Sequence, residues 1–244
     1  MKIASGVEML EISSDVMGMP CVINPTLIWD KDTVILVDAG FPGQLTKIRD
    51  SIEHAGVPFN KLSMLILTHH DVDHIGSVSS ILRELPNVKV LAHKEEKAYI
   101  EGKKCPLKVA KMKDNLDSLP EKMKMVYEKL KAGFEKCKVN VDKTLIDGEK
   151  LLCCEGIEII YTPGHTLGHI CLYLKKSKIL IAGDILKVEN GILAQVSPDI
   201  NFDMNLNIKS LKKLTEYDIQ TVICYHGGLY NEKVNERIAE LINE

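Results

Sequence analysis

A chain of 244 residues, 45% hydrophobic, with 31 Lys and Arg against 34 Asp and Glu, is long enough for one large α/β domain or two small ones. The net charge of −3 gives no reason to expect a nucleic-acid partner, and no apolar run approaches the length of a bilayer span. The opening residues MKIASGVEML lack the apolar core of a signal peptide, and the seven cysteines form no CxxC pair, a pattern of reduced thiols that leads us to expect a cytoplasmic protein without a membrane anchor.

The first forty residues read as strands with turns, at 3–12, 21–29 and 33–37. The last of these is apolar until Asp38 and stops at Gly40, so Asp38 either faces a site at a sheet edge or caps the helix expected over 44–55. A further buried strand, 61–67, runs into THHDVDH at 68–74. Behind that polar cluster Ile75, Val78, Ile81, Leu82 and Leu85 recur at helical spacing, which places it in a strand-to-helix turn. His69, His70, Asp71, Asp73 and His74 are costly to pack together unless a cation holds them, and carboxylates and imidazoles are the usual ligands of divalent metals. The alternative, a solvated polar loop, weakens with each later segment that ends the same way.

A short strand at 88–92 precedes His93, which starts a helix and is expected to lie at the surface, as is His54. From 99 to 141 the texture changes to Lys, Met and Leu, with Met123, Val126, Tyr127, Leu130 and Phe134 on one helical face, and Pro106 and Pro120 dividing the segment. We read it as a helical insertion within a single domain of residues 1–244. Between Lys94 and Lys143 stand 14 lysines against nine acidic residues, which fits either an anionic small-molecule substrate or an ordinary solvated face.

Strands return at 143–146, 151–154 and 157–162, followed by TPGHTLGH at 162–169 and a strand at 170–174. The run KILIAGDIL ends a buried strand at Asp184; a polar loop then leads to a helix near 206–214, a strand at 221–224 that delivers His226, and a terminal helix at 232–242. Four apolar strands thus end in His69/Asp71/Asp73/His74, His165, Asp184 and His226, each with glycine close by.

This set resembles the metallo-β-lactamase superfamily, whose signature is Thr-His-x-His-x-Asp-His, then Pro-Gly-His-Thr-x-Gly-His, Gly-Asp and a late Gly-His or His-Gly. Here these stand as THHDVDH, PGHTLGH, Gly183-Asp184 and His226-Gly227, with VDAG at 37–40 similar to the family's early strand-end Asp, a motif set like that of glyoxalase II and lactonases. The resemblance implies a four-layer αββα sandwich of two mixed β-sheets and two divalent metal ions, zinc first, with iron or manganese as alternatives. It implies His69, Asp71 and His165 at one metal site, Asp73, His74 and His226 at the other, and Asp184 between them. The family's second His is Asp71 here, and His70 points elsewhere because neighbours in a tight turn diverge. One extra negative charge ~4 Å from a bound water is worth on the order of 4 kcal/mol at an effective dielectric of about 20, opposing ionisation of that water.

The resemblance implies a metal-dependent hydrolase that uses a metal-bridging hydroxide to cleave an ester-type bond in a lactone, thioester or similar small substrate, with Asp73 and His226 nearest the chemistry. Two other readings stay open: an iron-dependent redox enzyme of the same fold, and a non-catalytic metal-binding protein. Among the neighbours, His169 is expected behind the metal loop, Cys224 in the core, and Tyr225 or Tyr230 as donors to a developing oxyanion. The insertion is expected to cover the metal edge. Oligomeric state has no signature in the sequence.

Overall fold

A computed structural model describes residues 1–16, 18–154 and 156–244. The chain opens with β1 (Lys2–Ala4), β2 (Val7–Met9) and the hairpin β3 (Ile12–Val16) and β4 (Met19–Ile23), then continues into β5 (Thr26–Trp29) and β6 (Val34–Val37). Helix α1 (Leu45–His54), β7 (Met64–Leu67), α2 (Val72–Ile75), α3 (Val78–Glu84), β8 (Lys89–His93) and α4 (Lys94–Ile100) follow. The insertion supplies α5 (Leu107–Asp114) and α6 (Glu121–Cys137), with Pro106 and Pro120 immediately before them. Proline there costs no helical hydrogen bond, because the first amides of a helix have no partner within it. Strand β9 (Lys143–Leu145) closes a seven-stranded sheet of order β1-β2-β5-β6-β7-β8-β9, parallel from β6 onward.

The second sheet has six strands: β10 (Lys150–Leu151), β11 (Ile157–Tyr161), β12 (Ile170–Leu174), β13 (Ile179–Ile181) and, after an intervening hairpin, two more. That hairpin is β14 (Leu186–Glu189) and β15 (Ile192–Gln195), and helix α7 (Met204–Leu214) separates it from β16 (Thr221–Cys224) and β17 (Gly228–Tyr230). β13 and β16 run parallel within an otherwise antiparallel order, and α8 (Val234–Leu241) follows the last strand.

Strands buried on both faces read as continuous apolar runs, and their alternation appears only in what each side chain touches. Leu65 and Leu67 of β7 face the helices with Ile48, Ile52, Val78 and Ile81, whereas Ile66 faces the second sheet with Ile35, Val37 and Leu91. On the far sheet Ile170, Leu172 and Leu174 meet that central layer, and Cys171 and Tyr173 turn outward to Leu211, Leu214 and Ile238 of α7 and α8. Three apolar interlayers make four layers, αββα, as the motif set implies. Cys224 lies in the outermost of the three interlayers and is fully buried.

Several features depart from the sequence reading: the run 21–29 splits into β4 and β5, which join different sheets, and the strand expected at 151–154 is β10, ending at Leu151. Residues 186–195, expected as loop, form a hairpin in which only Leu186 and Leu193 are buried, so no apolar run marks it. The run 3–12 is broken by a turn at Gly6, where a Cβ would lie 2.2 Å from the Trp29 carbonyl oxygen. Asn24, just after β4, donates from its backbone and side-chain nitrogens to the Tyr225 carbonyl (2.9 Å each), and Ile23 bridges His226. Among the described residues no helix is long and apolar enough to cross a membrane.

Candidate metal centre

Strands β6, β7, β13 and β16 end at one edge of the sandwich, and the loops that follow them converge there. Asp71 precedes α2 with extended backbone (φ −65°, ψ 148°), the geometry of a helix cap, yet its carboxylate caps nothing and turns to the site instead. One turn of α2 then carries Asp73 and His74. Gly183 holds φ at +51°, and a Cβ there would lie 2.6 Å from His169 Nε2, so only glycine lets Asp184 follow β13 so closely.

The seven residues expected to bind metal come together in two groups: His69, Asp71, His165 and Asp184 in one, Asp73, His74 and His226 in the other. In the first, Asp71 Oδ2 lies 3.3 Å from His69 Nε2 and 3.0 Å from His165 Nε2. In the second, Asp73 Oδ2 lies 3.3 Å from His226 Nε2 and 3.8 Å from His74 Nε2. Asp184 stands between them, with Oδ2 at 3.5 Å from His165 and 3.4 Å from His226, and Oδ1 at 3.4 Å from His74.

The inner nitrogens decide what the outer ones can be. His74 Nδ1 donates to Asp38 Oδ2 (2.8 Å), His165 Nδ1 to Asn201 Oδ1 (2.9 Å), and His69 Nδ1 to Thr68 Oγ1 (3.0 Å), whose hydroxyl donates onward to Asp38 (2.8 Å). In the neutral imidazole the opposite nitrogen is then an acceptor. Three acceptor nitrogens therefore face carboxylate oxygens, which also only accept. His69 Nε2, His74 Nε2 and Asp184 Oδ1 are buried without a hydrogen-bond partner. Divalent cations between these atoms resolve the conflict, and the donor set of imidazole and carboxylate suits zinc, iron or manganese.

Protons on the imidazoles are another remedy, and the titration shifts follow that logic. Burial alone would lower His74 and His226, but Asp184, Asp38 and Asp73 outweigh it at His74, holding it well above the usual range, and Asp184 and Asp73 hold His226 up at about 10. Burial and the neighbouring His74 leave His69 well below. His169 is pushed down to about 3 by burial; its Nε2 accepts from the Asp184 amide (3.0 Å) and Nδ1 meets Thr162 Oγ1 (2.9 Å), which fixes it behind the site as expected.

Several residues hold rather than face the centre. Asp38, itself at φ +62°, does not cap α1; it stands behind the two groups, accepting from the Thr68 amide and hydroxyl and from His74 Nδ1. His70 pairs with buried Glu96 and stacks on Tyr99, with ring centroids 4.4 Å apart. Glu96 in turn accepts from Thr166 Oγ1 (2.7 Å) and the Gly168 amide (2.6 Å), so one carboxylate ties the β7 loop to the β11–β12 loop. His93 is buried rather than at the surface: it caps α4, accepting from the Glu95 amide, and stacks on Tyr161. The Tyr225 hydroxyl is committed to the Asp73 carbonyl and the Gly40 amide, so it is not free to serve as an oxyanion donor, and Tyr230 is half-buried against the outer core.

One participant had no signal in the sequence. Lys108 of α5, one lysine among many, donates to Asp71 Oδ2 and comes within 3.4 Å of His165 Nε2. Its neighbour Val109 packs into the core, which aims Lys108 at the site and brings the insertion to the metal edge.

A family model described as the metallo-beta-lactamase superfamily matches residues 18–226. A hydroxyacylglutathione hydrolase of Buchnera aphidicola subsp. Schizaphis graminum is 28% identical over 207 residues, 83% of this chain and 62% of its own, so the chain spans less than two thirds of that relative. A probable metallo-hydrolase of Bacillus subtilis, YflN, is 29% identical over 224 residues, 86% of this chain and 81% of its own. Among solved structures, a metallo-beta-lactamase family protein from Thermus thermophilus superposes with a TM-score of 0.76 at 22% identity, covering 98% of this chain and 79% of that one.

Proposed function

The chain belongs to the metallo-beta-lactamase superfamily, and we propose that it is a binuclear metal-dependent hydrolase cleaving an ester-type bond, in a lactone, thioester or similar small substrate. One observation carries this reading: two groups of outward acceptors share the Asp184 carboxylate, an arrangement suited to two cations and to little else.

His69, Asp71 and His165 would hold one divalent ion and Asp73, His74 and His226 the other, with Asp184 common to both. Together the ions would supply Lewis acidity and a water acidic enough to ionise near neutral pH. The protein's own residues supply the rest. The His226 and Asp73 side chains are 38% and 18% exposed, against 5% for Asp71 and Asp184, so substrate enters on their side. There the Asp73 carboxylate, through the oxygen not turned to His226, can take the proton of the attacking water and return it to the leaving oxygen or sulfur. Asp38, Asn201 and Thr68 keep the three imidazoles in the tautomer that leaves Nε2 free, and the buried walls exclude bulk water.

Elemental analysis of protein purified without added metal, followed by lactone, thioester and phosphodiester substrates, tests the reading. We expect at least one divalent ion per chain as purified, rising to two when zinc is added, and turnover of a lactone or thioester that chelation abolishes and zinc restores. Iron with visible absorbance and no hydrolysis would instead favour redox chemistry on the same ligands, to which Asp71, a harder ligand than imidazole, lends itself.

A further inference from the structure

We infer that the two groups are inequivalent cation sites, and that Lys108 is the resident cation of the first, so that a metal ion reaches His69, Asp71 and His165 only by displacing the lysine. The inference rests on the reading of both groups as metal sites. The Lys108 ammonium donates to Asp71 Oδ2 and lies 3.4 Å from His165 Nε2. Those are two of the four atoms that make the first group; the others, His69 Nε2 and Asp184 Oδ2, lie within 3.9 Å of each other. An ammonium set against both Asp71 Oδ2 and His165 Nε2 occupies the space between these two donors that a divalent ion would take, and the like charges repel. No lysine or arginine contacts Asp73, His74 or His226 among the described residues, and the Asp38 carboxylate behind His74 adds attraction for a cation there.

The sequence change at 71 and the lysine belong together. A histidine at that position would offer an ammonium no negative charge, whereas Asp71 adds one, and Lys108 neutralises it. Lysine is also suited to departure: its four-carbon stem lets the charge swing out while Val109 keeps α5 seated in the core. The second group therefore loads first and more tightly, and the first group fills only at higher metal concentration, once the ammonium has turned to solvent or to an anionic substrate.

Zn²⁺ titration of the metal-free protein against a chromophoric chelator tests this without reference to turnover. Wild type is expected to bind two ions with affinities at least tenfold apart. Lys108→Met, which keeps the length and removes the charge, should strengthen the weaker event at least tenfold and leave the stronger one alone, and Lys108→Gln should do the same if Met disturbs packing. Lys108→Arg should keep the two events apart. His226→Ala removes the second group, and in that background Lys108→Met should again tighten the remaining event tenfold. Unchanged affinities in Lys108→Met and Lys108→Gln, or tightening confined to the stronger event, would overturn the inference. If His226→Ala binds no zinc with or without Lys108, the first group is not a cation site and the reading beneath the inference fails with it.

Discussion

Asp38 Oδ2 lies 2.8 Å from His74 Nδ1, and the same carboxylate accepts from the amide and hydroxyl of Thr68, which in turn meets His69 Nδ1. One buried acid at the end of β6 thus orients an imidazole in each of the two groups. Asp38→Ala should lower metal affinity at the second group roughly 10–100-fold, the usual consequence of removing such a support. Asp38→Asn, which keeps an acceptor but not the charge, should fall between. Chelator competition measures both; wild-type affinity in Asp38→Ala would mean that His74 needs no support.

Glu96 is fully buried and answers to His70, Thr166 and the Gly168 amide at once. Glu96→Ala leaves all three without a partner and should cost about 3–5 kcal/mol, the range for breaking a buried pair from one side. Glu96→Gln retains an acceptor for Thr166 and Gly168 and should cost distinctly less. Urea unfolding at constant m-value checks the order of the two.

These supporting residues mark where sequence reading stops. The candidate ligands were legible because each follows a short apolar strand, with glycine close to His165, Asp184 and His226, so local pattern and chemistry coincide there. Helix α6 was legible from its apolar face and from Pro120. Glu96 was not: in the sequence it is one of a run of charges opening a helix, and only the fold brings it against the loop at 166–168. The burial of His93 depends likewise on Tyr161 of the other sheet. Lys108 differs in no local respect from Lys111 or Lys113, which are exposed; its role comes from where α5 docks.

Stability of the metal-free protein should fall with acid because of His169. Burial holds its folded-state value at about 3, below the usual 6.5, so between those pH values the unfolded chain binds a proton that the native one refuses. Native stability from this source is therefore complete above pH ~6.5 and declines as pH falls toward 3, by up to roughly 5 kcal/mol at 1.36 kcal/mol per unit. Denaturant midpoints at pH 7 and 5 should differ in wild type, and by less in His169→Asn. An equal difference in both proteins would assign the effect to other groups.

Turnover should not survive loss of either His165 or Asp184. Both follow strand ends, and their replacement removes few apolar contacts, so His165→Ala and Asp184→Asn should fold with near-native circular dichroism. Each should keep less than a tenth of kcat/KM, a loss above ~1.4 kcal/mol of transition-state stabilisation. Activity above that level in either variant would remove the residue from the centre.

The bridge from Ile23 to His226, with Asn24 bonded to Tyr225 across 201 residues of sequence, has a consequence for how the protein is made. During synthesis the first sheet and the THHDVDH turn emerge early, but His226 emerges only after β16 has left the ribosome. Closure of so long a loop is an entropically slow step, since contacts distant in sequence form last. The second group therefore exists only in chains that have joined their two ends, and metal captured there stabilises the completed fold alone. Metal retained at the second group becomes a readout of finished folding, and a chain stalled short of β16 should lack the stabilisation that this group gives.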